Sequence, residues 1–350
     1  MNLERKQFKD LNLGDPFFDS LKADYVEFEQ WFQKKADHWA YVFLDEADES
    51  VQAFLYLKVE DGAVADVTPP LPAARRLKVG TLKINPHGTK LGERFLKKVF
   101  DHAVEDHTKQ AYVTVFPKHT GIVTLFERYG FSKVGEKTTK NGTELVLLRD
   151  VLPNSGNILF DYPVVHFKGR HIYLLALYPI WHTRLLPDSI LKNEDARIVQ
   201  DISHTNSIHK VYLAAMPGMG QLERGDVLVI YRTSDNQGAA HYRSVATSIC
   251  VVEEYRNIQS FKTETEFLGY CRPYSVFTEE ELADFWRRKR YPHIIRFTYN
   301  VALTKRVNRK AMIEELGMDS EARWGFMPMT TQQLSGLLTR GEVDEGLVVD

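Results

Sequence analysis

Cysteine is nearly absent. Cys250 and Cys271 are the only two in 350 residues and form no C-x-x-C pair, which excludes a disulfide framework and fits a reducing compartment. Long apolar runs are missing as well: none approaches the roughly 20 residues that cross a bilayer. The opening MNLERKQFKD has neither the apolar core of a secretory signal nor an Arg/Ser-rich transit pattern. A cytoplasmic location with no membrane partner is therefore expected. Nor does one sign of charge dominate. Lys and Arg total 45 against 47 Asp and Glu, a formal net charge of -2, so any attraction to nucleic acid has to come from a local patch. The 12 histidines include His102/His107, His166/His171 and His204/His209, but a spacing of five puts such a pair on different faces of a helix. No Cys or carboxylate completes a ligand set beside them, and no metal is expected. Internal repeats and low-complexity tracts are absent.

What is present is an ordinary globular balance, 43% hydrophobic and 26% charged residues, in a chain longer than one core usually supports. Two domains are expected: residues 1–150, a linker at 151–160, and residues 161–350. Val151-Leu152-Pro153-Asn154-Ser155-Gly156-Asn157 supplies the linker signal, with Pro, Gly and small polar residues together. Before it, helix and strand patterns alternate. Asp15-Pro16 reads as an N-cap followed by proline at the first helical position, and Asp24 as the cap of a second helix carrying Tyr25, Phe28, Trp31 and Phe32 on one face. Tyr41–Leu44 and Gln52–Val59 read as paired strands, Thr68–Pro72 as a loop, and Thr143–Leu148 as a closing strand. After the linker the texture turns to β: Lys210–Ala215, Asp226–Arg232, Tyr242–Glu253 and His293–Leu303 are rich in Val, Ile and Tyr. Two capping boxes, Thr278-Glu279-Glu280-Glu281 and Thr330-Thr331-Gln332-Gln333, open helices within that region.

The most informative stretch is Leu82-Lys83-Ile84-Asn85-Pro86-His87-Gly88-Thr89-Lys90-Leu91-Gly92-Glu93, a strand running through a short Gly-containing loop into a helix. Unpaired backbone N–H groups and the positive dipole end make such a helix N-terminus an anion site. Gly88 and Gly92 let the main chain come close to it, and Lys90 adds a cation. Downstream, Ala111–Pro117 reads as a second strand, followed by a helix over Gly121–Tyr129 and then Gly130-Phe131.

Over roughly the first 150 residues this arrangement resembles the Gcn5-related N-acetyltransferase (GNAT) family. The family loop, Gln/Arg-x-x-Gly-x-Gly/Ala, corresponds to His87–Gly92, with the final Gly kept, His in place of Gln/Arg and Lys90 in place of the middle Gly. The family's Leu-Tyr-x-x-x-Gly-Phe becomes Leu125-Phe126-Glu127-Arg128-Tyr129-Gly130-Phe131, so the Tyr that commonly protonates the departing thiolate is Phe126, and the Asn after the preceding strand is His119. Tyr129 lies one turn on and reads as a buried aromatic. The resemblance implies acetyl-CoA as co-substrate, lying between Thr81–Ile84 and Tyr112–Phe116. Cofactor-binding residues would be Leu82, Lys83, Ile84, Gly88, Thr89, Lys90, Leu91, Gly92, Glu93, Phe116, His119 and Phe126. The pyrophosphate would sit on the amides of Gly88 to Glu93, and a backbone N–H near Lys83 would polarise the acetyl carbonyl. The catalytic base is not assigned; Glu127 and His119 lie near the motif.

Arg224-Gly225-Asp226 running into Val227–Arg232, with a later strand ending Val251-Val252-Glu253, resembles the PUA-like superfamily of ASCH and EVE domains, which usually bind RNA or a modified base. Residues 285–313 contain no Asp or Glu and carry Arg287, Arg288, Lys289, Arg290, Lys305 and Arg306 among their cations, interleaved with Phe285, Trp286, Tyr291, Phe297 and Tyr299 as stacking planes. The alternative is a solvated helix end and a charged strand edge. Together the resemblances imply an α+β chain: a GNAT-like mixed sheet with flanking helices, then a PUA-like small β-barrel with inserted helices. The implied activity is N-acetylation of an amino group on a nucleobase, an aminoacyl-tRNA or a protein. Two further readings stand beside it: a nucleic-acid or modified-base reader with a weakly active acyl-CoA-binding domain, and a growth-inhibiting acetyltransferase paired with a protein antidote.

Overall fold

The structure, a computed structural model, describes residues 3–45, 47–85, 88–189, 191 and 202–350. It is α+β and divides into two units, Met1–Ser155 and Gly156–Asp350.

The first unit is built on seven strands: β1 (Leu3–Gln7), β2 (Trp39–Leu44), β3 (Val51–Val64), β4 (Leu71–Ile84), β5 (Gln110–Val115), β6 (Ser132–Thr139) and β7 (Gly142–Asp150). They lie in the order β1-β2-β3-β4-β5-β7-β6. Every pairing is antiparallel except β4 with β5. Four helices accompany the sheet: α1 (Asp19–Asp24), α2 (Phe28–Lys34), α3 (Leu91–Glu105) and α4 (Thr120–Arg128). Helix α3 is held by its apolar stripe; Phe95, Leu96, Val99, Phe100 and Ala103 recur at helical spacing and are all buried. Near the N-terminus, Phe8, Phe18, Phe32 and Phe54 form one aromatic cluster with neighbouring ring centroids 4.7–6.2 Å apart.

Two caps differ in outcome. Asp15 accepts from the Phe17 N–H at 2.8 Å with Pro16 following, as expected, although the turn it opens is 3-10 before α1 begins. Asp24 does not cap a second helix. It ends α1, and α2 starts after Glu27, because the Asp24 carboxylate is drawn instead to Lys118 and His119. The fully buried Arg76 in β4 is tied by Gln110 Oε1 at 2.8 Å and the Gly62 carbonyl at 3.2 Å, which meets the requirement that a buried charge be hydrogen-bonded.

The feature that shapes the unit is in the middle of β4. Its register with β3 runs Tyr56↔Thr81 and then Leu57↔Val79, so Gly80 is an extra, unpaired residue: a β-bulge. On the other edge, β4 pairs with β5 from Arg76↔Gln110 only as far as Val79↔Val113. The two strands therefore part where the bulge sits.

In the second unit a six-stranded sheet runs β10-β13-β12-β11-β9-β14. Its strands are β9 (Ile172–Leu177), β10 (His209–Ala214), β11 (Val227–Arg232), β12 (Val245–Asn257), β13 (His293–Asn308) and β14 (Phe326–Met329). The short β8 (Val165–His166) and β15 (Val348–Val349) pair separately. Three register shifts interrupt the long central antiparallel pair of β12 and β13. The ladder has two ends, β10 and β14, and does not close into a barrel among the described residues. The Gly-Asp signature ties strands together. Gly225 takes φ +94°, and buried Asp226 accepts from the Glu223 and His171 N–H groups at 2.8 and 3.2 Å. Both capping boxes form as read, at Thr278/Glu281 and Thr330/Gln333. Cys250 and Cys271 are both buried in the interior. Among the described residues no helix is long and apolar enough to cross a membrane.

A Cβ at Gly80 would lie 2.6 Å from Cδ1 of Tyr56, whose hydroxyl is held by His38 Nδ1 at 2.8 Å, so the ring cannot swing aside without losing that bond. Gly80→Ala is expected to cost about 1–3 kcal/mol through overpacking, measured by urea unfolding of the full chain. Unchanged stability would show that the bulge has room to spare.

Candidate functional site

Because β4 and β5 separate after Val79, the β4 edge from Gly80 onward pairs with no strand among the described residues, while its opposite edge stays hydrogen-bonded to β3. A cavity of about 210 Å³ opens in the gap, lined by Val79 to Ile84 on one side and by Val113, Thr114 and Val115 on the other, with Ser20, Leu21, Asp24, Tyr25, His119 and Ile122 completing it. Leu82, Lys83 and Ile84, expected from the sequence to bind the cofactor, are thus brought to one wall. Lys83 Nζ donates to the Phe17 carbonyl and sits 4.6 Å from the centre of the Phe17 ring, and burial lowers its pKa.

Ile84, His119 and Ile122 also border a second cavity, of about 480 Å³. Here the loop residues gather: Gly88, Thr89, Lys90, Leu91, Gly92 and Glu93 all line it. Pro86 and His87 lie outside the described residues. Gly88 and Lys90 both take left-handed backbone, at φ +82° and +57°. For Gly88 that conformation is free of steric penalty; for Lys90 it is the turn by which the chain enters α3. The opposite wall is the start of α4, with Lys118, Thr120 and Gly121. Two helix N-termini, each with a lysine beside it, therefore converge on one cavity. Their dipoles and first-turn amides favour an anion. The sequence reading named the α3 half of this arrangement and, on the α4 side, His119; it did not name Lys118, Thr120 or Gly121 as binding residues.

The first turn of α3 is close-packed: a Cβ on Gly92 would lie 3.0 Å from Leu125 Cδ2 and 3.6 Å from Ile84 Cδ1. Glu93, though acidic and in that turn, is buried and pairs with Arg128 at 3.4 Å. Asp24 holds His119 Nε2 at 2.8 Å and Lys118 at its other oxygen. Burial pushes the Asp24 pKa up, but the hydrogen bonds from Lys118 and His119 together outweigh it and hold the carboxyl below its usual range.

Two expected cofactor residues are elsewhere. Phe126 is fully buried with its ring 4.8 Å from Phe131 in an edge-on contact, so it packs under α4 and does not line either cavity. Phe116 likewise is not on the lining; it packs on Tyr25 with ring centroids 5.3 Å apart. Tyr129 is buried as read and lines neither cavity; its carbonyl accepts from Arg149 Nη1 at 2.6 Å. The phenol that borders the separated strands is Tyr25.

The cations of the second unit do not form one patch. Arg287, Arg288, Lys289 and Arg290 cluster at the end of the helix Glu279–Arg288, whereas Lys305 and Arg306 lie near the far end of β13. The twelve steps from His293 to Lys305 span about 40 Å of extended strand. The stretch is acid-free only along the chain. Asp284 pairs with Arg287 at 3.1 Å and Arg288 at 2.9 Å, Glu342 faces Lys305 at 3.8 Å, and Arg306 bonds the Asp188 carbonyl at 3.3 Å. Lys289 covers the Trp286 ring, its Nζ 2.8 Å from the centroid. Phe297 and Tyr299 are buried in the core, so they offer no stacking planes; β13 lies between β10 and β12 and is covered on both faces.

No protein-family model matches the chain, and no curated protein matches it. Solved structures resemble parts of it. The Naa20 of Chaetomium thermophilum, in complex with a bisubstrate analogue, is 12% identical over 43% of this chain and 86% of that chain, with a TM-score of 0.31. A NatC complex bound to Gag peptide and CoA is 14% identical over 42% of this chain and 98% of that chain, TM-score 0.29. A ZmASCH mutant protein from Zymomonas mobilis is 8% identical over 49% of this chain and 96% of that chain, TM-score 0.31. The structures similar to parts of this chain thus include acetyltransferases and an ASCH protein, at scores that assign neither activity nor ligand.

Proposed function

We propose that the first unit is an acetyl-CoA-dependent N-acetyltransferase. The observation that carries the reading is the junction of two features: separated strands with an unpaired β4 edge, and, continuous with them, a cavity on which two helix N-termini and two lysines converge. An extended co-substrate with an anionic middle and a thioester end suits that track, the pyrophosphate at the helix ends and the acyl arm along Gly80 to Ile84. Backbone N–H groups of the unpaired edge, near Lys83, are the donors suited to the acetyl carbonyl oxygen. The acyl group supplies the electrophile; the protein's contribution is alignment and a dry gap in which the acceptor amine attacks as the free base. Tyr25, not Phe126, is the hydroxyl-bearing ring bordering this gap.

The close approach at Gly92 gives the test. Gly92→Glu brings a carboxylate and added bulk between two dipole ends. It is expected to abolish acetyl-CoA binding in calorimetry, with the circular dichroism of the folded chain retained. Undiminished affinity in the folded variant would sink the assignment.

For the second unit we propose, in the same spirit, a polynucleotide partner. The support is the exposed group at one helix end, where the Arg287 and Arg288 side chains are 73% and 67% accessible. Replacing Arg287, Arg288 and Arg290 by Ser should lower retention of single-stranded RNA at low salt and flatten the log–log salt slope by about 0.7 per lost phosphate contact. If the unmodified chain retains no RNA at low salt, this partner is wrong and the arginines serve only to solvate the helix end.

A further inference from the structure

A third cavity, of about 260 Å³, adjoins the separated strands; Leu21, Tyr25, Gly80, Thr81 and Thr114 line both. Its remaining walls are of two kinds. One is aromatic, made by Phe28, Trp31 and Tyr56 together with Tyr25. The other is charged and unevenly balanced. Lys58 and Lys78 both lie on Glu60, at 3.0 and 3.8 Å, so two ammonium groups share one carboxylate, which also accepts from the Tyr112 hydroxyl. Burial lowers the Lys78 pKa, Glu60 opposing.

Glu144 is the converse. It is 4% exposed and lines this cavity, and its Oε1 accepts from the Tyr25 hydroxyl at 2.6 Å. Three more charged residues share the lining: Lys137, opposite Glu144 in the β6–β7 ladder, is held by Asp66 at 2.7 Å, Glu27 is held by Asn141 at 2.9 Å and Lys140 at 3.4 Å, and Lys35 adds a further cation. Among the described residues Glu144 has no ion pair. A carboxylate in that position is costly unless a cation arrives. One small enclosure therefore presents an unpaired anion on one side, an excess of positive charge on another and aromatic faces between them.

We propose that this cavity is the acceptor subsite and that the acceptor is a free amino acid or close analogue: a small zwitterion whose ammonium group faces Glu144 and Tyr25, whose carboxylate faces Lys58 and Lys78, and whose apolar body lies on the aromatic wall. The inference rests on the acetyl-CoA reading of the adjoining gap. It distinguishes among amine carriers, because an aminoacyl ester or a protein N-terminal residue carries the amine without the free carboxylate. In the reaction the ammonium group loses a proton to Glu144, and the nitrogen lone pair forms the C–N bond to the acetyl carbon. The C–S bond breaks with its electron pair on sulfur, and the second amine proton leaves as the thiolate takes one up, giving amide and free thiol. Glu144 returns its proton to solvent.

The test uses the full chain with acetyl-CoA, the twenty free amino acids, and the amides and decarboxylated amines of those that react, following thiol release. Free amino acids with apolar or aromatic side chains should turn over, and their amides and decarboxylated amines should lose at least tenfold in kcat/KM. Lys78→Met should raise KM with kcat largely kept. Glu144→Gln, which still accepts from Tyr25, should lower kcat. Amides that react as well as the free acids would overturn the zwitterion assignment. Binding of acetyl-CoA in calorimetry with no thiol released by any amino acid would overturn it too, while leaving the acetyl-CoA reading standing. Failure to bind acetyl-CoA at all would remove that reading and this one together.

Discussion

The first unit depends on the parting of β4 from β5 at Gly80. A parallel pair buried in a sheet normally continues, because an unpaired backbone edge in the interior leaves donors and acceptors without partners. Here β4 stays paired with β3 on one side through Ile84 while its other edge is released after four residues of pairing, from Arg76 to Val79. The extra residue in the register absorbs the change in direction, and glycine is required there because Tyr56 occupies the space of a Cβ. What results is a row of backbone groups available to something other than protein.

Everything else about the site is arranged around that gap by residues distant in the chain. Helices α3 and α4 bring their N-termini to one end. Asp24, at the end of α1, orients His119 and Lys118 at the other helix entrance, 95 and 94 residues away. Tyr25, next in sequence, turns to Glu144 on β7. Adjacent residues thus fasten two different walls, so the short α1–α2 segment sets both the anion end and the proposed acceptor end of the track.

The strand–loop–helix stretch was legible because its chemistry is local: an apolar strand, glycines, a lysine and an amphipathic helix occur within about twenty residues. So were the capping boxes and the long strands of the second unit. Other parts were not. The pairs Tyr25–Glu144 and Asp24–His119 have no sequence signal, since nothing in one chain marks contacts across a hundred residues. Strand β6 is polar and half exposed, with no apolar alternation to betray it. Gly80 did carry a signal, an isolated glycine inside the strand pattern of Leu77, Val79, Leu82 and Ile84, which is where bulges occur. Phe297 and Tyr299 misled because an aromatic beside arginines reads as a stacking surface, whereas a strand at the centre of a sheet buries both its faces. The acids that pair with the arginine-rich stretch, Asp284, Glu253, Glu254 and Glu342, come from outside the segment and could not be read from it.

The central claim is that the separated strands and the converging helix ends hold acetyl-CoA. Hydrogen exchange of the full chain with and without saturating acetyl-CoA measures it directly, since the amides in question are exposed by the parting of the strands. Protection confined to residues 80–93 and 113–122 is the result this account predicts; no protection there, or protection centred on residues 156–350, would contradict it.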